Sequence, residues 1–443
     1  MASGQDNQQS EKRYLIERGP GFRAGRRDLP RNLNAATIGA GVVAAIFGCT
    51  GPALIVINGA QQGGLTATET ASWIFGIYAF GGLISLLMAL YYKLPIVGAF
   101  SIPGAVLVIS GFGEFTFAEL VGAFLSAGVI VLLIGLSGLI RQVANWMPYP
   151  IVMAMIAGAL IRFGVGVVGA AVALPVVVLS AIVGYILMSR FTKQIPGVIG
   201  ALIFGVVAAL ISGSFNTVEG GIGFTAPQLV APQFSFEAIL AIGLPLVLLV
   251  IGAENAQAMG VLMSQKYKIP FNSMTIISGI GGLLAPLFGG HNANIAGPMT
   301  AICSSDQAGE RKEGRYAAAV VNGVLFGAFG VFAGVAVATV SILPSELTAT
   351  LAGLAMIGVL LTAFQGSFGV GQFQVSALVA LIIAMSEVSL LNISAPFWSL
   401  VGGVITALLL ESKDFRYKDE VQPEFIEVGE DDFDEDIETP SQR

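Results

Sequence analysis

Few side chains in this sequence can exchange a proton or hold an ion inside an apolar setting. Glu254 stands in Val250-Ile251-Gly252-Ala253-Glu254-Asn255-Ala256-Gln257, and His291 in Gly289-Gly290-His291-Asn292-Ala293-Asn294. Ionisable groups within apolar runs are costly and usually face a cavity or a proton path. A carboxyl group that alternates between dry and wet surroundings can take up and release a proton, and a histidine can relay one near neutral pH. Glu254 and His291 are therefore the candidate proton-coupling residues. The structural alternatives are a hydrogen-bonding group near the inner interface for Glu254 and a backbone-pairing group in a Gly-rich bend for His291. Glu387 also lies in an apolar run and reads as structural or close to the outer surface. A single His, with Cys49 and Cys303 both in apolar runs, offers neither a metal site nor a disulfide framework. No paired catalytic groups stand out, so an enzyme is not expected, and no cofactor beyond a proton as coupling ion.

The second chemical feature is made of backbone. Ser101-Ile102-Pro103-Gly104-Ala105 and Asn294-Ile295-Ala296-Gly297-Pro298 each interrupt an apolar segment. Gly and Pro do not sustain a helix there, so each segment should run extended and restart as a half-helix near the membrane midplane. Pro103 and Pro298 suit the first helical position. A helix N-terminus presents unpaired N–H groups and about half a positive charge. Two such ends facing each other, with N–H groups of Gly104, Ala105, Met299 and Thr300 turned to the ligand, would suit a carboxylate or an electronegative heterocycle. The plain alternative is a pair of Pro kinks in packed helices. The candidate substrate-binding residues are Gln61, Ser101, Pro103, Gly104, Ala105, Glu254, Asn294, Gly297, Met299 and Thr300. Gln61 enters because Thr50-Gly51-Pro52 marks a break after which Asn58, Gln61 and Gln62 follow one helical face; a polar helix exit explains it equally well. Asn255 and Gln257 are expected to satisfy broken backbone rather than touch a ligand.

The elements that must position these groups are membrane spans. Charged residues are 11% of the 443-residue chain, against roughly 25% in soluble domains, and the mean hydropathy is +0.82. Apolar runs centre near 36–56, 69–91, 96–112, 118–140, 149–168, 172–188 and 196–212, then near 237–262, 272–289, 292–304, 317–340, 347–364, 374–391 and 395–411. The pattern predicts an all-α polytopic membrane protein of 14 transmembrane segments in a 7+7 inverted repeat, with segments 3 and 10 broken into a short extended stretch and a half-helix. Residues 1–33 read as a polar, Arg-rich cytoplasmic extension rather than a signal peptide. Residues 34–212 form the first repeat, 213–235 an extracellular or periplasmic linker, and 236–411 the second repeat. The net charge of −7 comes from an acidic, disordered cytoplasmic tail at 412–443. With this topology both termini are cytoplasmic, and of 21 basic residues only Arg162 falls near the outer face.

The motifs together carry a family likeness. Thr50-Gly51-Pro52 with Ala60-Gln61, then Ala71-Ser72-Trp73-Ile74-Phe75 and Phe100-Ser101-Ile102-Pro103-Gly104-Ala105, resemble the benzoate:proton symporter (BenE-type) family. So does Phe288-Gly289-Gly290-His291-Asn292-Ala293-Asn294-Ile295-Ala296 with Ala301-Ile302-Cys303 behind it. The likeness covers about 34–411. It implies the inverted-repeat fold shared with nucleobase/proton symporters and sulfate-permease-type anion transporters. In that fold a core domain (segments one to four and eight to eleven) moves against a gate domain, and substrate lies between segments three and ten, touched by one and eight. The family pattern carries a glutamine before the asparagine of segment eight; Glu254-Asn255 here resembles the nucleobase branch instead.

The function expected is secondary active transport: proton-coupled uptake of a small aromatic carboxylate, benzoate-like, across the cytoplasmic membrane. The alternatives are a proton-coupled nucleobase or heterocycle symporter and an uncoupled anion channel or facilitator. The expected partners are a small organic anion, a proton and the lipid bilayer, with no nucleic acid; a homodimer is one assembly open to it.

Overall fold

The computed structural model describes residues 16–139, 148–191, 197–216, 223–369, 371–386, 388, 390 and 395–415. Glu387 and the tail beyond residue 415 lie outside the described residues. Helix α1 (Phe22–Asn32) precedes the apolar segments. The first segment is split into α2 (Ala35–Cys49) and α3 (Gly51–Gln62) at Thr50, whose φ of −96° and ψ of −87° leave the helical region, with Pro52 opening the new helix. Helix α4 (Ala67–Tyr92) follows, then strand β1 (Gly98–Ala99), α5 (Ile102–Gly111) and α6 (Phe117–Ser137). Thr66 with Glu69 and Thr116 with Glu119 form reciprocal caps at the starts of α4 and α6. Helices α7 (Tyr149–Ala173), α8 (Pro175–Phe191) and α9 (Gly197–Ser212) complete the first half.

The second half opens with α10 (Phe236–Met263), which widens into π-helical turns at Ile239–Gly243 and Leu249–Asn255. Helix α11 (Phe271–Leu284), strand β2 (Asn294–Ile295), α12 (Gly297–Ser304), α13 (Tyr316–Val331), α14 (Ala333–Ile342), α15 (Ser345–Phe368), α16 (Gln374–Met385) and α17 (Ala395–Leu410) follow. The eleventh segment, expected as one run, divides at Phe332 into α13 and α14. Eight helical stretches are long and apolar enough to cross a membrane. Exposed Val165, Val168 and Val172 on α7, and Leu408 and Leu409 on α17, are what a lipid-facing surface requires.

Glycine sets the packing. Beside Gly82 of α4, an added Cβ would lie 2.6 Å from the Gly327 nitrogen of α13, and beside Gly282 of α11 it would lie 2.9 Å from Gly128 Cα of α6. Such small-residue contacts let membrane helices meet backbone to backbone. Helix α4 thus packs on α13, and α6 on α11, while α7 lies against α15 and α16, and α8 against α9.

The extension before the first segment is tied down rather than loose. The Glu17 carboxylate accepts from the N–H groups of Asn272 (2.8 Å) and Ser273 (2.9 Å) at the start of α11. Tyr316 donates to the Gly25 carbonyl at 2.8 Å, and Lys93 pairs with Asp28 at 2.9 Å. At the other end Glu411 accepts from Val375 and Ser376, both at 2.9 Å, capping α16.

Candidate functional site

The two sequence breaks meet. Strands β1 and β2 pair antiparallel, Gly98 opposite Ile295 and Ala99 opposite Asn294. Ala296 donates to the Val97 carbonyl at 2.8 Å, and Val97 donates to Thr300 Oγ1 at 3.1 Å. Close approach is needed on both sides of this ribbon. Gly98 lies against the Gly81 carbonyl of α4, and Gly281 of α11 lies against the Ala293 carbonyl. Any side chain at either position would push the strands away.

Ser101 is the hub. Its Oγ accepts from the Gly104 N–H at 3.0 Å and so caps α5. Its own N–H donates to Asn292 Oδ1 at 3.1 Å, and its carbonyl lies 2.9 Å from His291 Nε2. Trp73 donates its indole N–H to His291 Nδ1 at 3.1 Å. Indole can only donate, so Nδ1 is the acceptor and Nε2 carries the hydrogen given to Ser101. Both ring nitrogens of fully buried His291 are therefore engaged, and Trp73, Phe100 and Phe124 present their rings to it edge-on.

Glu254 closes the constellation. It is 7% exposed, at the end of the π-helical turn of α10. Its carboxyl group faces the Ser101 hydroxyl and the starts of α5 and α12 at Ile102 and Gly297. These are the first residues of α5 and α12, so one acidic side chain stands beside the positive ends of both half-helices. The fold thus sets an acidic side chain beside paired helix N-termini.

The expected donors change accordingly. The Gly104 N–H is taken by Ser101 Oγ, the Ala105 N–H by the Ser101 carbonyl (3.0 Å), and the Thr300 N–H by the Ala296 carbonyl (3.2 Å). The Met299 side chain packs toward Gly48 of α2 rather than into the site, and Gly104 faces Leu246, whose Cδ1 would lie 2.8 Å from an added Cβ. Pro103 takes its place in the first turn of α5, as its missing N–H suits. Gln61 stands apart: it is exposed at the C-terminal end of α3 and donates to Ser341 Oγ at 3.1 Å. Asn255 acts as expected for a backbone-supporting group. Its Oδ1 accepts from Ser278, whose Oγ in turn accepts from the Ile295 N–H at 3.1 Å. Arg162, expected near the outer face, is carried by α7. It lies near the middle of the 25-residue α7 and donates to the Val106 carbonyl of α5 at 3.4 Å.

Sequence reading did not single out Trp73, Asn292 or Ser278 as site-forming groups. Among the described residues, Asn292 Nδ2, Asn255 Nδ2 and Asn294 Oδ1 are buried without a hydrogen-bond partner, so this region keeps polar capacity to spare. A cavity of about 10 Å³ lies beside Asn292, His291 and Ser278, room for a water and not for an aromatic ring.

The profile of the family described as benzoate membrane transport protein matches residues 31–409. The chain belongs to this family. A benzoate membrane transport protein of Acinetobacter baylyi is 30% identical over 376 residues, covering 85% of this chain and 95% of that relative. The inner membrane protein YdcO of Escherichia coli is 27% identical over 374 residues, covering 84% and 95%. Among solved structures, the transmembrane domain of a cyanobacterium bicarbonate transporter, BicA, aligns with a TM-score of 0.59 at 17% identity, covering 84% of this chain and 98% of that one. The murine anion transporter Slc26a9 in its inward-facing state aligns with a TM-score of 0.56 at 15% identity, covering 88% and 71%. The chain is thus a multi-pass membrane transport protein, not an enzyme, with the fold of these carriers.

Proposed function

We propose that this transporter imports a small aromatic carboxylate, benzoate or a close relative, together with a proton, across the inner membrane with both termini cytoplasmic. Substrate identity is supported by the family and by the benzoate membrane transport protein that is 30% identical. Proton coupling rests on one observation: Glu254, buried, faces the paired N-termini of α5 and α12. A substrate carboxylate drawn to those N-termini meets a charge of its own sign there. Protonation of Glu254 removes that repulsion, so proton and substrate load together. An inside-negative potential opposes an entering anion by about 2.3 kcal/mol per 100 mV, and one co-transported proton cancels that penalty. His291, with both nitrogens held, acts in this scheme as the group that positions Ser101.

In the same proposal the chain is a seven-plus-seven inverted repeat. Helices α2 to α6 and α10 to α14 form the moving core, and α7 to α9 with α15 to α17 form the gate. Uptake into proteoliposomes under an imposed acidic exterior tests the function. Benzoate should accumulate and collapse of the pH gradient should abolish it. Accumulation of nucleobases but not aromatic acids would replace the substrate class, and benzoate flux indifferent to the gradient would make the protein a facilitator.

A further inference from the structure

Helix α1 carries a row of arginines for which the described fold has no use. Its inner face is committed. Gly25 lies against the Leu90 carbonyl of α4 and accepts from the Tyr316 hydroxyl, and Asn32 is buried against Gly314. The opposite face carries Arg23, Arg27 and Arg31 at four-residue spacing with Arg26 beside them, all exposed. Arg27 bonds to Asp28 at 2.9 Å and its side chain is still 76% exposed. Arg23, Arg26 and Arg31 enter no ion pair among the described residues. Like charges one turn apart on a helix repel, so this stripe is relieved by an anion.

The chain supplies one itself. Glu430-Asp431-Asp432-Phe433-Asp434-Glu435-Asp436-Ile437-Glu438 holds seven carboxylates in nine residues. The described chain ends just past α17, where Asp414 accepts from the Phe373 N–H at 2.7 Å and Phe415 packs on the Phe373 ring. Glu430 follows 15 residues later. That length reaches up to about 50 Å when extended, against a radius of gyration of about 22 Å for a folded chain of this size.

We propose that the arginine face of α1 binds the acidic stretch 430–438 of the same chain. The inference rests on the reading that both termini are cytoplasmic. Anionic headgroups would suit the same arginines. The tail is favoured because its tether sets an effective concentration of about a millimolar, and because an anionic leaflet repels its carboxylates. Helix α1 packs on α4 and α13, whereas the tail leaves from α17. The bound tail therefore joins core to gate through a contact that salt weakens.

The test is modification by phenylglyoxal, an arginine-selective reagent, in nanodiscs of neutral phosphatidylcholine, read at Arg23, Arg26 and Arg31 by peptide mass spectrometry. These residues should react severalfold more slowly in the full chain than in a variant ending at Phe415, and about 0.5 M salt should remove the difference. A full-length variant carrying Asp434→Asn, Glu435→Gln and Asp436→Asn should show part of the same rise, which keeps the test intact if the shortened chain folds poorly. Equal rates in the full chain and in both variants overturn the proposal. Equal rates in phosphatidylcholine, with slowing only in phosphatidylglycerol nanodiscs, would assign the stripe to lipid headgroups instead. Labelling of Ala24→Cys and Ser441→Cys by an impermeant maleimide from opposite sides of the membrane would overturn this contact together with the cytoplasmic placement of both termini.

Discussion

Trp73 donates its indole N–H to Nδ1 of His291 across 3.1 Å, joining two sequence motifs that lie more than two hundred residues apart. The bond fixes which imidazole nitrogen carries hydrogen, and that hydrogen holds the Ser101 carbonyl at 2.9 Å. Ser101 in turn caps α5 and faces Glu254. A tryptophan on α4 therefore sets the geometry of the anion site without touching it.

Trp73→Phe keeps the ring and removes the donor, leaving a buried acceptor unsatisfied at a cost of about 1–3 kcal/mol. The expected result is a lower unfolding temperature of the purified protein and weaker ligand-induced stabilisation. Adding His291→Ala to Trp73→Phe should cost less than the sum of the two single changes, since both remove one bond. Strict additivity would show that the pair is not coupled.

Gly297 begins α12 against the side chain of Gln257, whose Oε1 would lie 2.5 Å from an added Cβ. Gly297→Ala should displace the start of α12 from Glu254 and weaken substrate binding severalfold. Gln257→Gly removes the whole clashing side chain, including the Cβ that would lie 2.7 Å away, so the double variant should regain part of the loss. Wild-type affinity in Gly297→Ala alone would mean that the α12 N-terminus does not shape the site.

The docked extension makes a separate prediction. Asp28 is held down to about 2 by its hydrogen bonds from Arg27 and Lys93. Its folded value lies below the ordinary 3.8, so its contribution is complete above that pH and is lost as pH falls toward 2. Protection of α1 amides from hydrogen exchange should therefore hold from neutral pH to about 4. Asp28→Asn should reduce it at neutral pH, as should Glu17→Gln through the start of α11. Protection in Asp28→Asn equal to that of wild type would count against this docking.

How much of this was legible beforehand follows from the physics of each feature. The breaks at Pro103 and Pro298 were readable because proline and glycine act locally on the backbone. The exposure of Glu254 to both half-helices was half readable: a carboxyl in an apolar run announces itself, but the π-helical turn at Leu249–Asn255 that aims it has no residue signature. Trp73 was hidden because an aromatic residue on a membrane helix usually packs or anchors, and its partner is remote in sequence. Gln61 looked like a site residue because helical phase says nothing of position along the helix; the structure puts it at the C-terminal end of α3 beside Ser341.

Topology is testable independently. A cysteine introduced at Lys312, in a background where Cys49 and Cys303 are replaced, should react with a membrane-impermeant maleimide only from the cytoplasmic side. Labelling from outside intact cells would invert the proposed orientation.

The central claim is that Glu254 carries the coupling proton, and transport by Glu254→Gln in proteoliposomes tests it most directly. Glutamine keeps the shape and, like protonated Glu254, one accepting oxygen and one donating group, but stays neutral throughout the cycle. The expected result is that benzoate binding and benzoate–benzoate exchange survive, while accumulation driven by an acidic exterior disappears. Retained accumulation with wild-type pH dependence would contradict the claim.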